Sequence, residues 1–258
     1  MSKLGVPKSD YEQFPNPPLK AMFGQVRYPP MLKLADPQAL GRFQELIGES
    51  GYTEFVEEQQ LSLTISPEGF SQSPAERSFR FSTDPAAWSV ILGPSSFTLE
   101  AHPTEYTNFA TFSDQFEVLW DALLTVAPPT RLVRQGLRYI DHIERDLEGP
   151  GWAKLVNPAL LGLLGVDSIG RALVRSVSEC RFDADFGTIV LKHGVAKAGP
   201  KEKFGYLFDF DYFAEDLDST AATKDVLTRF NRFHDELHDL FRFCVTEDAL
   251  KEFRGERS

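Results

Sequence analysis

Two short stretches, Gly24-Gln25-Val26-Arg27-Tyr28 and Gln135-Gly136-Leu137-Arg138-Tyr139, end in the same triplet: an apolar residue, arginine, tyrosine. Aligned on that triplet they lie 111 residues apart (137 − 26, and 139 − 28). A second correspondence follows each of them. Phe112, Phe116, Leu119, Leu123 and Val126 step by 4, 3, 4, 3, and laid forward they fall on Val226, Phe230, Phe233, Leu237 and Leu240, at an offset of 114 each time (226 − 112, for example). Such steps place one apolar stripe along one face of a helix. A strand and a helix recurring at nearly one offset imply a duplicated fold, and a fixed period constrains architecture more than any local propensity does.

The segments between these landmarks fill in each half. Met1 to Lys20 carries Pro7, Pro15, Pro17 and Pro18 among polar residues, which predicts an extended tail on the surface or a disordered one. Ala21 to Tyr28 alternates as a strand, with Met22, Gly24, Val26 and Tyr28 on one face and Arg27 on the other. Asp36-Pro37 then offers an N-cap and a proline at the first helical position, ahead of Leu40, Phe43, Leu46 and Ile47. Strands are expected at Thr53–Thr64, up to a turn at Ser66-Pro67-Glu68-Gly69, and at Ser78–Ser82. Trp88–Leu92 and Phe97–His102 flank Gly93-Pro94-Ser95-Ser96, a hairpin signal.

In the second half a long strand runs from Arg131 towards Asp146, followed by a helical segment around Trp152–Leu164. Strands are then expected at Leu173–Asp183, Thr188–Val195 and Phe204–Phe213, with a turn at Asp183–Gly187. The second amphipathic helix ends at Cys244, and Thr246–Phe253 reads as a short extra helix before a fraying end at Arg254–Ser258. The expected fold is α+β: two pseudo-repeats of β-α-β(3-4)-α, an antiparallel sheet with helices packed on one face. The expected division is a tail at 1–20, a first repeat at 21–130 and a second at 131–258, packed as one globular unit.

Composition narrows the function classes. Against 38 Asp and Glu stand 27 Lys and Arg, a net charge of −11, so a nucleic-acid phosphate chain would meet an opposing field. The two cysteines, Cys180 and Cys244, are too few for a disulfide framework or an all-cysteine zinc site, and buried thiols are the ordinary expectation. The first residues lack the apolar core of a signal peptide, and the longest apolar run, Pro158–Val166, is too short to span a bilayer. A cytoplasmic protein without a membrane span is therefore expected. Gly-x-Gly-x-x-Gly and Gly-x-x-x-x-Gly-Lys phosphate cradles and the Gly-x-Ser-x-Gly elbow are absent from the sequence, and no cofactor is implied.

Three constellations could carry chemistry. His234-Asp235-Glu236-Leu237-His238 presents two imidazoles one helical turn apart, the spacing of two metal ligands, but without the glutamate that follows the first histidine in zinc proteases. The more ordinary role is a solvated flank beside the Phe233/Leu237/Leu240 stripe. Asp209 and Asp211 share a strand face, opposite Phe208, Phe210 and Tyr212, and could act as an acid-base pair or hold a metal; strand arginines such as Arg175 and Arg181 are the commoner partners for such acids. On the long strand, alternation sets Arg138, His142 and Glu144 on one face and Asp141 on the other. Arg27 and Arg138 occupy equivalent places in the two halves. Each is expected either to pair with a carboxylate (Glu57, Glu58 or Glu100 for Arg27; Glu179 or Asp211 for Arg138) or, with His142, to engage an anionic ligand or an acidic partner segment.

The element order of each half resembles the TATA-binding-protein type of half-fold, which also occurs duplicated as one continuous saddle. This is a likeness of architecture and implies nothing about DNA. The stretches NPPLKAMFGQVRYPP, YTNFATF, RQGLRYIDHIE and FHDELHDLFRFCVTEDALKEF, taken together, are similar to those of a sporadically distributed bacterial family of uncharacterised cytoplasmic proteins. The resemblance implies a mobile-element or defence context and carries over no catalytic residue. The expected function is a non-enzymatic binding or regulatory protein, with a protein or a small anion as partner and room for a homo-oligomer. The alternatives are a metal-dependent enzyme using His234/His238 or Asp209/Asp211, and nucleic-acid binding through a saddle-shaped sheet, which the charge disfavours.

Overall fold

The computed structural model describes residues 3–60, 63–66, 69–72, 76–103, 108–145, 147–197 and 204–256. Pro67, Glu68, Tyr106, Thr107, Asp146, Arg257 and Ser258, each part of a stretch read above, lie outside the described residues. The strands are β1 (Leu19–Arg27), β2 (Tyr52–Gln60), β3 (Leu63–Ser66), β4 (Gly69–Gln72), β5 (Glu76–Thr83), β6 (Trp88–Gly93), β7 (Ser96–Ala101), β8 (Leu132–Glu144), β9 (Ser176–Ala184), β10 (Gly187–Lys197) and β11 (Phe204–Ser219). The α-helices are α1 (Pro37–Gly48), α2 (Phe109–Val126), α3 (Asp167–Gly170), α4 (Thr223–Cys244) and α5 (Glu247–Arg254). Nine strands form an antiparallel sheet in the order β2-β5-β6-β7-β1-β8-β11-β10-β9, and β3 pairs with β4 apart from it. The α+β class is as expected.

Three sequence expectations need correction. Thr53–Thr64 is not one strand: β2 ends at Gln60, and Leu63–Ser66 pairs instead with Gly69–Gln72 as its own hairpin. The helix expected around Trp152–Leu164 is a chain of short 3-10 turns at Gly149–Lys154, Pro158–Leu160 and Gly162–Gly165. Pro150 and Pro158 remove amide donors there, and glycines at 149, 151, 162 and 165 raise the entropy cost of a continuous helix. β11 runs six residues beyond Phe213, to Ser219.

The chain divides into two compact units. One comprises residues 23–135 and 215–228. Here α1 begins as its sequence dictates, with the Asp36 carboxylate accepting from the Gln38 amide and Pro37 in the first turn. α2 is capped by Asn108, whose side chain accepts from the Thr111 amide. Their apolar stripes close over the sheet. Phe43 meets Phe81 edge-on at 5.5 Å, and Phe97 meets Phe116 and Trp120 edge-on at 5.3 and 5.2 Å, the geometry that aromatic quadrupoles favour. The one polar atom of the Trp120 ring is satisfied by the Ala221 carbonyl at 2.9 Å.

The other unit comprises residues 1–22, 136–214 and 229–258. Phe208 and Phe210 of β11 meet Phe241 of α4 edge-on, and Tyr212 stacks on Phe233 at 4.2 Å. In its described residues the proline-rich N-terminal segment packs against α4 and α5. Phe14 contacts Phe241 and Phe253, and the Asn16 amide donates to the Phe253 carbonyl at 2.9 Å. Glu12 takes both Arg242 and Arg254, so the tail is pinned by charge as well as by an aromatic anchor. α5 ends in Gly255 at φ 76°, a left-handed cap that suits glycine.

Candidate functional site

Strand alternation builds the candidate site around β8. Leu137, Tyr139, Asp141 and Ile143 point towards the helices, and Arg138, Ile140, His142 and Glu144 towards the opposite face. β11 alternates likewise: Tyr206, Phe208, Phe210 and Tyr212 take the helix side, and Leu207, Asp209, Asp211 and Phe213 the other. Across these two strands, Arg138 donates from Nε and Nη2 to the two carboxylate oxygens of Asp209, at 2.7 and 2.8 Å. This bidentate pair raises the guanidinium pKa further, with burial opposing it and Asp211 adding a second negative charge. The Arg138 side chain is still 44% exposed.

Neither arginine forms its expected ion pair: Asp211 acts on Arg138 only as a further charge, and Glu100, although on the strand beside β1, is taken by Arg80. Asp209 takes Arg138 because β11 adjoins β8, whereas Glu179 sits on β9, two strands further out, and bridges to Lys192 at 3.6 Å. In the unit that holds Arg27, Glu57 is paired with Arg77, and Glu58 and Glu100 both with Arg80, while Arg27 stands exposed at the end of β1.

His142 is buried, not presented at the surface. Its ring lies over Gly205, where a Cβ atom would come within 2.5 Å of Nε2. Nε2 is 3.4 Å from the Ala196 carbonyl, and Nδ1 is 3.7 Å from a Glu144 oxygen that also receives Lys20 at 2.7 Å. The ring forms one wall of a pocket of about 280 Å³, with Pro18, Lys20, Glu144, Arg145 and Glu252 among its neighbours. Charges of both signs line it. Arg145 pairs with Glu252 as Lys20 does with Glu144, so no net field selects one kind of ligand.

Asp141 is the feature that sequence reasoning undervalued. It is buried on the helix-facing side of β8, and burial, followed by the negative charge of Asp209, pushes its pKa up to about 7. The signal was available: one carboxylate interrupts the apolar alternation of Leu137, Tyr139 and Ile143. Cys244 lies near enough to Asp141 and Cys180 to feel both, and burial raises its thiol pKa first. Cys244 is buried as expected, and Cys180 only partly so.

His234 and His238 do not lie on a solvated flank. Residues of the N-terminal segment cover them, with the Tyr11 ring centroid 5.5 Å from each imidazole. His234 Nδ1 is hydrogen-bonded to the Tyr139 hydroxyl at 2.9 Å, and His238 Nδ1 to the Ser9 hydroxyl at 3.2 Å. Burial pushes the His234 pKa down to about 3, with His238 adding to the effect, and burial lowers that of His238 as well. The two ring centroids are 6.4 Å apart, and among the described residues no group of three or more His, Cys, Asp and Glu could hold a metal ion. Among the described residues, no helix is long and apolar enough to cross a membrane. The chain matches no family model, no curated protein and no solved structure.

Proposed function

We propose that this is a non-enzymatic binding or regulatory protein, and that its partner is a protein engaged by the face of the sheet opposite the helices. The observation that carries the reading is the Arg138–Asp209 pair. A bidentate carboxylate fixes the guanidinium plane, the side chain stays half-exposed, and its Nη1 edge takes no part in the pair. An arginine held rigid in this way loses little entropy when a partner acceptor arrives, which is how arginine becomes an interface anchor. A small anion at Arg138 would compete with Asp209 and with the field of Asp211, so a protein partner is favoured over an anionic ligand. His142 contributes as the support beneath this face, and Arg27 is the corresponding arginine of the first half.

A duplicated fold belongs to the same proposal. Outward from the central neighbours, the strand order is β1-β7-β6-β5-β2 on one side and β8-β11-β10-β9 on the other. In each direction the first strand of a half is followed by its last, then by its earlier ones. That mirrored order supports two repeats of one β-α-β-α plan, the second a strand shorter. A mobile-element or defence context stays part of the proposal through the family resemblance.

The test is affinity capture from a native-like host, with Arg138→Gln/Asp209→Asn as the variant. It removes both charges and keeps hydrogen-bonding capacity. A specific captured protein that is lost in the variant, at unchanged thermal stability, is expected. Capture that is indifferent to the variant contradicts the reading. So does stoichiometric zinc or manganese in purified protein that His234→Ala/His238→Ala removes.

A further inference from the structure

The two edges of the sheet are defended differently. β2, the edge in its unit, carries Glu54, Glu57 and Glu58, and its pairing with β5 slips between Tyr52 and Glu54. Like charge and a register irregularity are the usual devices against edge-to-edge association. β9, the edge in the other unit, has neither. Its nine residues, Ser-Val-Ser-Glu-Cys-Arg-Phe-Asp-Ala, contain no proline and no lysine, and they pair with β10 in unbroken register from Ala184 to Ser176. Among the described residues β10 is its only strand partner, so one row of backbone amides and carbonyls faces outward.

We infer that β9 is the interface of a symmetric homodimer, pairing antiparallel with the β9 of a second copy across a two-fold axis at Cys180. Cross-strand neighbours in an antiparallel pair share a face of the sheet, so the axis must pass through a residue. Three central choices exist. An axis at Glu179 sets that acid against its own copy. An axis at Arg181 opposes the two arginines and also sets Glu179 against Asp183. An axis at Cys180 sets Glu179 opposite Arg181 twice, once on each side. It is the register in which the charges complement one another. Glu179 and Arg181 are both exposed on the face away from the helices; within one chain Glu179 reaches back to Lys192 at 3.6 Å and Arg181 lies over the Phe213 ring, and each would turn outward to pair across the axis. In an isologous interface every complementary pair occurs twice, so one favourable contact is doubled by symmetry. The inference stands apart from the proposed partner face, because an edge pairing leaves Arg138 and Asp209 uncovered.

The same symmetry supplies the test. Wild-type protein at about 100 µM, enough to populate a micromolar dimer, is expected to show twice the 29.1 kDa chain mass in light scattering. Glu179→Arg alone and Arg181→Glu alone each bring like charges together and should weaken the dimer at least about tenfold. Mixed in equal amounts, the two variants should recover it as a heterodimer, and the double exchange Glu179→Arg/Arg181→Glu should recover it as a homodimer. Mild oxidation should cross-link the wild type and the Cys244→Ser variant, but not Cys180→Ser. A monomeric wild type overturns the inference, as does a dimer indifferent to the single exchanges or a mixture that stays monomeric.

Discussion

Replacing Asp141 by asparagine should stabilise the protein, and more so as pH rises. The carboxyl is enclosed on the helix side of β8, and its pKa rises from an ordinary 3.8 to about 7, through burial first and the Asp209 charge second. Because the folded pKa lies above the unfolded one, the native state holds the proton longer. Stability is therefore greatest below pH 4 as far as this group is concerned, falls as pH rises towards 7, and levels off above. At ~1.4 kcal/mol per pH unit the full span is about 4 kcal/mol. Asparagine keeps the shape and carries no charge to desolvate. The constant part of its effect depends on the hydrogen bonds it makes, so the pH-dependent part is the readout. Urea unfolding of wild type and Asp141→Asn at pH 5 and pH 8 should show the difference between them growing by about 3 kcal/mol in favour of the variant. A difference that stays constant between the two pH values refutes the burial argument.

Phe116 and Phe230 have no exposed surface, and each alanine substitution should cost about 3–5 kcal/mol in urea unfolding; a loss under ~1 kcal/mol would mean the stripe is not core. Arg254 and then Arg242, opposed by partial burial, hold the Glu12 pKa down at about 2, so its hold on the tail is complete above the ordinary carboxylate range and is lost as pH falls through 2. Glu12→Gln should accordingly speed proteolysis within residues 3–12 at pH 7, and an unchanged rate would show that the tail is held by Phe14 alone. The His234 ring resonances should stay constant from pH 8 to pH 5 because burial under Tyr11 disfavours the imidazolium; a midpoint near 6.5 would mean the ring is solvated.

Periodicity made most of the fold legible. The stripes of α2 and α4, the cap of α1 at Asp36-Pro37 and the Gly93–Ser96 hairpin are local signals, and each produced its element where it was read. What stayed hidden was contact between distant segments. Nothing near Tyr11 says that it lies over two histidines on α4, because that packing rests on Phe14, Glu12 and residues more than two hundred positions later. The choice of Asp209 over Glu179 by Arg138 follows from sheet order, which alternation alone does not give. The turns between residues 149 and 165 failed for a different reason. A helical segment is expected there, and proline and glycine break it into short turns.

The face on which the protein meets its partner can be read directly with a photo-cross-linking residue. It would be placed at Ile140 or Leu207, beside the Arg138–Asp209 pair, and at Phe243 on α4 as the contrasting position. In host cells, the account predicts one discrete cross-linked protein from Ile140 and Leu207 and none from Phe243. Cross-links confined to Phe243, or none at either strand position, would contradict it.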